Sequence, residues 1–115
     1  MIMKILAVDF DGTLCENCYP AIGNPKIEII ERLKECQKSG NKLILWTCRS
    51  DNYLKDAVDW CKEHGLVFDA VNSNPNCEIA KWNNDPRKVG ADYYLDDKSI
   101  TPEKFLESFD IIKEM

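Results

Sequence analysis

The amino-acid sequence predicts an α/β domain in which a doubly wound parallel sheet is covered by helices as a three-layer α/β/α sandwich. Short, nearly continuous apolar runs alternate with longer segments whose apolar residues recur at helical spacing. Runs that are apolar throughout are typical of strands buried on both faces, and their alternation with helices favours right-handed crossovers between parallel strands. The 115 residues are enough for one domain with its own core, which we expect to span residues 1–115.

The first strand, helix and second strand are predicted from three adjoining segments. Residues 3–10, MKILAVDF, form the first apolar run, and residues 41–48, NKLILWTC, form the second. Between them, Asn24 is a candidate N-cap, Pro25 fits the first helical position, and Gly40 follows the last helical turn. The order strand, helix, strand is that of a parallel crossover unit.

The middle of the chain predicts a second helix, a third strand and a long loop. Ser50 or Asp51 is placed to cap the helix, which ends near Gly65, and residues 66–72 resemble a strand. Residues 72–86 are rich in Asn and Pro, so we expect an irregular loop there with a helical turn near residues 77–82.

The last segment predicts a fourth strand and a final helix. Residues 91–100 are apolar up to an acidic pair, and Thr101 and Pro102 then form a helix start. Residues 109–113, FDIIK, have the composition of a short last strand.

Composition excludes some classes of partner. The net charge of −5 and the pI near 4.9 give no basic surface for a nucleic-acid backbone or an acidic membrane. Aspartates interrupt the apolar N-terminal run before it reaches the length of a signal peptide, and no later run approaches a membrane span. We therefore expect a cytoplasmic protein without a membrane partner, whose six cysteines are reduced thiols.

Acidic residues gather where the predicted strands end. Asp9 and Asp11 follow the first strand, and Asp96 and Asp97 follow the fourth. In open α/β sheets the carboxyl ends of the strands form the ligand-binding edge. Two carboxylates about 4 Å apart repel by about 4 kcal/mol at an effective dielectric constant of about 20, so such a cluster favours a bound cation, and oxygen ligands of this kind suit Mg²⁺. The alternative is that each aspartate ends its strand in solvent, which fits Asp9 poorly because it directly follows a buried run.

The sequence also resembles a known family. The segment DFDGTL at residues 9–14 is similar to the first motif, Asp-x-Asp-Gly-Thr, of the haloacid dehalogenase superfamily, and LILWT and YYLDD resemble its second and fourth motifs. The segments CYPAIG and LWTCR resemble a small group of capless members from bacteria and their phages. The resemblance extends over the whole chain, and helices and strands occupy the intervals in which a cap domain would lie.

The resemblance implies phosphoryl transfer through an aspartyl-phosphate, with Asp9 as the nucleophile and Asp11 as the acid and base. It also implies a Mg²⁺ ion held by the Asp9 carboxylate, the Asp11 carbonyl and the Asp96 carboxylate, with Asp97 nearby or as a further ligand. Three further residues are expected to bind the phosphoryl group, through the Thr47 hydroxyl and through backbone amides of the turn that contains Gly12 and Thr13.

Two basic positions are less sharply defined by the resemblance. Lys88 is the expected third-motif lysine because it precedes the strand that carries the acidic pair, while Lys81 and Lys98 are the other candidates. Arg49 follows Thr47 by two residues, and its planar guanidinium suits a second phosphate or a carboxylate of the substrate. A surface role is the alternative for each of these side chains.

These residues together predict a Mg²⁺-dependent phosphohydrolase that cleaves a phosphate monoester. The alternatives are a receiver-like phosphoacceptor, a dehalogenase-type hydrolase, and a binding domain that keeps the motif residues with little activity. An open site without a cap suits a phosphorylated small molecule or a phosphorylated end of a macromolecule, with a second subunit as a further means of excluding water.

Four cysteines suggest an additional hypothesis that does not come from the resemblance. Cys15 and Cys18 have a spacing common in zinc sites, and Cys48 and Cys77 fall in loops at the same predicted edge. The hypothesis is a structural Zn²⁺ ion bound by these four thiolates, and ordinary free thiols are the alternative.

Overall fold

The predicted parallel α/β architecture is present in the computed structural model, which describes residues 2–113, and within the last helix the side chains up to Glu107. The elements occur in the order β1 (Ile5–Val8), α1 (Ile27–Lys38), β2 (Lys42–Leu45), α2 (Asp51–Glu63), β3 (Ala70–Val71), α3 (Asn76–Trp82), β4 (Tyr93–Leu95) and α4 (Pro102–Lys113). None of the described helices is long and apolar enough to cross a membrane.

The sheet has four strands in the order β3-β2-β1-β4, and every neighbouring pair is parallel. Successive strands are added on one side of β1 as far as β3, and the chain then crosses to the other side of β1 to form β4. The direction of winding therefore reverses between β1 and β4. Residues that follow these two strands lie at the topological switch point, where open α/β sheets bind ligands.

Both faces of the central strands are buried, as their continuous apolar sequences predict. Leu43 and Leu45 pack on one face with residues of α1 and α2, while Ile44 packs on the opposite face with Ile5 and Ala7. The first face carries the larger core, which includes Val8, Phe10, Leu14, Ile30, Leu33, Ala57, Cys61 and Leu66. On the second face the loop before β4 contributes Val89, which is 1% exposed.

The predicted start of the first helix was wrong. The first helix begins at Ile27 rather than at Pro25, because the chain before it returns beside the loop that follows β1. The Glu16 amide donates to the Asn24 carbonyl at 2.9 Å, and the Lys26 amide donates to the Leu14 carbonyl at 2.8 Å. Asn24 is therefore held in an extended pairing and does not cap the helix.

The expected last strand at residues 109–113 was also wrong, since helix α4 continues to Lys113. Its start is as predicted: the Lys104 amide donates to the Thr101 hydroxyl at 3.1 Å, and the Phe105 amide donates to the Thr101 carbonyl at 2.8 Å. Once this first turn is fixed, helix propagation adds a backbone hydrogen bond with each residue. The β-branched pair near the end is thus incorporated into the helix.

The loop before β4 is organised by one buried polar side chain. Asn74, which is 5% exposed, donates from its side-chain nitrogen to the Asp85 carboxylate at 2.7 Å and to the Pro86 carbonyl at 3.3 Å. Its side-chain oxygen accepts from the Gly90 amide at 2.7 Å. These bonds close the loop that contains Lys88.

We expect Asn74→Ala to lower the free energy of unfolding by about 2 kcal/mol, because it leaves buried polar groups of the loop without partners. Urea unfolding measures this change. The matched control is Asn84→Ala, an exposed position on the same loop, for which we expect little effect. Equal stability of the two variants would contradict the role assigned to Asn74.

Candidate active site

The ends of β1 and β4 bring three carboxylates together. The two strands are paired in parallel from Leu6 and Tyr93 onward, and the Asp9 amide extends the ladder by donating to the Leu95 carbonyl at 2.9 Å. Carboxylate oxygens of Asp9, Asp96 and Asp97 all lie within 4.8 Å of one another. Strand register therefore joins acidic residues that are far apart in the sequence.

The turn after β1 ties the two acidic segments together through Thr13. This residue is 6% exposed, and its hydroxyl donates to Asp9 Oδ2 at 3.3 Å and accepts from the Asp97 amide at 3.1 Å. The sequence prediction assigned the amides of this turn to a phosphoryl group. The structure gives them other partners: the Gly12 amide donates to the Cys15 carbonyl, and the Thr13 and Leu14 amides donate to the Phe10 carbonyl.

Gly12 is required at its position for two independent reasons. Its φ of +91° lies in the left-handed region that favours glycine. In addition, a Cβ atom on this residue would overlap the Asp97 carboxylate. The Asp97 side chain thus lies directly against the backbone of the turn, and glycine allows it to reach the other carboxylates.

The clustered charge changes the acidity of Asp9. Burial, the negative charge of Asp96 and the proximity of Asp97 together raise the pKa of this carboxyl to about 6, against a hydrogen bond from the Phe10 backbone that lowers it. A divalent cation would offset this repulsion, and three carboxylates that converge to within 4.8 Å are a ligand set that hard cations such as Mg²⁺ or Ca²⁺ accept. Asp9, Asp96 and Asp97 therefore fit a cation site.

Asp11 does not point into this cluster, because Arg49 binds its carboxylate. Arg49 Nε donates to Asp11 Oδ2 and Arg49 Nη2 donates to Asp11 Oδ1, both at 2.8 Å. The arginine side chain is 1% exposed and the aspartate side chain 15% exposed. A buried bidentate pair of this kind fixes the position of both groups. The predicted contribution of the Asp11 carbonyl to a metal site stays a prediction.

Arg49 uses its remaining N–H groups to bind carbonyls of the segment that follows the first motif and of helix α2. Nη1 donates to the carbonyls of Pro20 and Tyr53, and Nη2 donates to the carbonyl of Ala21. A guanidinium has five N–H donors, so all of them have partners within the chain. Sequence analysis expected Arg49 to bind a substrate group; the structure instead makes it the residue that positions Asp11 and this segment.

Thr47 borders a cavity of about 520 Å³ together with Asp9, Asp11, Asp96 and Asp97. Its amide donates to Asn72 Oδ1 at 2.8 Å, and its hydroxyl accepts from the Arg49 amide at 3.2 Å. Because the Thr47 hydroxyl acts as an acceptor in this bond, its O–H group can still donate a hydrogen bond into the cavity. Asn72 was not predicted as a site residue, although an Asn at the end of a predicted strand is a recognised signal for the left-handed conformation, here with φ of +51°.

The three candidate lysines differ in which cavity, if either, they line. Lys88 borders a second cavity, of about 750 Å³, that also includes Asp9 and Asp96, and its Nζ lies 5.6 Å from the centre of the Tyr94 ring. Lys98 borders the smaller cavity. Lys81 lies on α3 over the Trp82 ring and lines neither cavity. Lys88 and Lys98 are therefore the lysines beside the carboxylates.

The zinc hypothesis was wrong. Among the described residues, the potential metal ligands that converge in a group of three or more are Asp9, Asp96 and Asp97. No cysteine belongs to this group. Cys15 is buried in the core, where burial raises the pKa of its thiol, and its Sγ contacts the Phe10 carbonyl at 3.8 Å. All six cysteines are free.

The raised pKa of Asp9 predicts a dependence of stability on pH. Because the folded-state pKa of about 6 exceeds the ordinary value of 3.8, the contribution of Asp9 to the free energy of unfolding of the metal-free protein falls as pH rises from 3.8 to about 6. Asp9→Asn removes this loss, so the variant gains stability relative to the parent protein across that interval. Urea unfolding with EDTA at several pH values tests this, and a stability difference that is independent of pH would contradict it.

We expect Arg49→Met to lower the free energy of unfolding by about 3 kcal/mol, because it leaves the partly buried Asp11 carboxylate without its partner. Urea unfolding with Lys55→Met as the control measures this, since the Lys55–Asp59 pair is exposed and its loss should have no measurable effect. A similar change in both variants would show that the buried pair is not a structural constraint.

Comparison with known proteins gives one informative similarity. No family model matches the chain, and no curated protein matches it. A solved structure of a conserved protein from Bacteroides thetaiotaomicron superposes with a TM-score of 0.77 and 34% sequence identity, over 99% of this chain and 93% of that chain. At this identity and coverage the likeness extends beyond the fold, and the chain belongs to the same family as that conserved Bacteroides protein.

Proposed function

We propose that this chain is a Mg²⁺-dependent phosphohydrolase that cleaves phosphate monoesters through an aspartyl-phosphate, on a capless three-layer fold of the haloacid dehalogenase kind. The observation that carries the proposal is the convergence of Asp9, Asp96 and Asp97 at the switch point of the sheet, in a cavity that Thr47 also borders. The motif resemblance supports the same assignment.

The three carboxylates are the groups that would hold Mg²⁺. When bound, the ion would supply charge neutralisation, because it would lower the repulsion between Asp9 and an incoming phosphate dianion. Thr47 donates a hydrogen bond from its hydroxyl to a phosphoryl oxygen. Lys88 lines the other cavity that includes Asp9, and its positive charge neutralises negative charge on the phosphoryl group. The pKa of Asp9 is about 6, so the carboxylate is largely ionised near neutral pH even before these cations act on it.

The proposed reaction has two displacements. An Asp9 carboxylate oxygen attacks phosphorus, the bond between phosphorus and the alcohol oxygen breaks, and that oxygen takes a proton from the Asp11 carboxyl group. Water then loses a proton to the Asp11 carboxylate as it attacks phosphorus, the bond to Asp9 breaks, and inorganic phosphate is released.

Arg49 sets a condition on the proton transfer. Both Asp11 oxygens accept hydrogen bonds from Arg49, so one of these bonds must be exchanged for a bond to the substrate oxygen or to water. The other bond keeps the carboxyl group beside the cavity throughout the cycle. Arg49 therefore acts as a positioning residue for the acid and base.

The proposal is tested by measuring phosphate release from nucleotides, sugar phosphates and phosphorylated oligonucleotides with Mg²⁺. We expect activity that stops with EDTA and falls at least about a thousandfold in Asp9→Asn, because the nucleophile is lost. The control Asp59→Asn carries the same chemical change on the exposed surface of α2. Activity that persists in Asp9→Asn would exclude the mechanism, and a stable phosphoprotein without turnover would favour a receiver-like phosphoacceptor.

A matched glycine pair tests the metal site separately. Gly12→Ala displaces Asp97, so we expect Mg²⁺ affinity to fall at least about tenfold by titration calorimetry. Gly40 has a similar φ of +97° but open space around the position of a Cβ atom, so Gly40→Ala introduces the same backbone strain at a distance from the carboxylates. Equal Mg²⁺ affinity in the two variants would argue against a contribution of Asp97.

A further inference from the structure

Two cavities meet at the carboxylates, and they differ in what they offer a substrate. Both include Asp9 and Asp96. The smaller one adds Asp11 and Thr47, whereas the larger one adds Lys88 and aromatic residues of the sheet face. A leaving oxygen that takes its proton from Asp11 must lie in the smaller cavity, so the alcohol part of the substrate extends into that one.

The wall of the smaller cavity includes an exposed aromatic ring. Among the described residues that line it, Tyr19 is the one with an aromatic side chain, and this residue is 55% exposed. One face of the Tyr19 ring lies over Arg49, whose Cζ is 5.0 Å from the ring centre, and the Tyr53 ring contacts it edge to face at 5.7 Å. The ring is thus supported from behind while more than half of the residue remains open.

Arg49 also sets the distance between this ring and the reacting group. The same guanidinium that lies over Tyr19 donates to both carboxylate oxygens of Asp11. The ring and the proton donor therefore contact the same guanidinium group. A flat group attached near the leaving oxygen of a monoester would lie within reach of the ring.

The cation behind the ring affects what can bind in front of it. A guanidinium on one face draws electron density from the ring and makes the opposite face less negative. Cations and the C–H groups of aliphatic rings gain less from such a face than an electron-rich aromatic ring does. Asn17 and Lys98 line the same cavity and supply an amide and a positive charge beside the ring.

We propose that the natural substrate is a phosphate monoester whose alcohol carries a flat aromatic group, either an aryl ring or a nucleobase, and that this group stacks on the exposed face of Tyr19. The proposal rests on the proposed phosphohydrolase function, because that function places the leaving group beside Asp11. It assigns Tyr19 as the specificity-determining residue.

Two substrates of similar chemical reactivity test the proposal. Benzyl phosphate and cyclohexylmethyl phosphate both release a primary alcohol and have similar size, but only the first carries an aromatic ring. We expect kcat/KM to be about three- to tenfold higher for benzyl phosphate, mainly through a lower KM. Equal kcat/KM values for the two substrates would overturn the assignment.

Three variants test which residue causes the preference for benzyl phosphate over cyclohexylmethyl phosphate. Tyr19→Leu should abolish it and Tyr19→Phe should retain it, because Phe keeps the ring and loses only the hydroxyl. The control is Tyr93→Leu, which changes an exposed tyrosine of the larger cavity and should leave the preference intact. A preference that disappears in Tyr93→Leu and persists in Tyr19→Leu would place the aromatic group in the larger cavity and overturn the proposal.

A binding measurement separates this inference from the proposed function. Benzylphosphonate and cyclohexylmethylphosphonate are not hydrolysed, and their affinities with Mg²⁺ present are measured by titration calorimetry for the parent protein and for Tyr19→Leu. Tighter binding of benzylphosphonate that depends on Tyr19 supports the aromatic subsite even if no phosphate ester is cleaved. Equal affinity of the two phosphonates would overturn the subsite whether or not the protein is a phosphohydrolase.

Discussion

The pairing of β1 with β4 is the constraint on which the rest of the candidate site depends. It places the Asp9 carboxylate beside those of Asp96 and Asp97, although the sequence separates the two segments by most of the chain. Like charges at this separation repel, and the backbone hydrogen bonds of the ladder hold them together against that repulsion. The pKa of Asp9 is raised first by burial of its carboxyl and second by this repulsion from Asp96. A site in which local electrostatics opposes the fold is more often functional than structural.

A second constraint comes from Arg49, which connects three parts of the site. Its guanidinium binds the Asp11 carboxylate, lies over the Tyr19 ring, and donates to the carbonyls of Pro20 and Tyr53. Because the guanidinium is planar and all its donors are used, its partners are fixed relative to one another. An internal arginine therefore shapes the region around the candidate site.

The sequence allowed the sheet and the acidic cluster to be predicted, because both follow from short-range patterns. Continuous apolar runs predicted strands, and a carboxylate directly after such a run predicted a residue at the sheet edge, as Asp9 and Asp96 are. The role of Arg49 could not be predicted, since it depends on where the carbonyls of a distant loop come to lie. The start of α1 was wrong because a long-range pairing of Asn24 with Glu16 overrode a local capping signal. The zinc hypothesis for Cys15, Cys18, Cys48 and Cys77 shows the same limit of local patterns. The spacing of cysteines along the chain does not indicate which thiols are buried in the core, as Cys15 is, and which are exposed.

The lengths of the strands have a consequence for how the protein behaves at high concentration. The two outer strands of the sheet, Ala70–Val71 and Tyr93–Leu95, are shorter than the two inner ones. An edge strand exposes a row of amide and carbonyl groups that can recruit a strand from another molecule, and this hazard grows with its length. Edges of two and three residues offer few such groups, so the sheet resists intermolecular strand addition and the aggregation that follows from it.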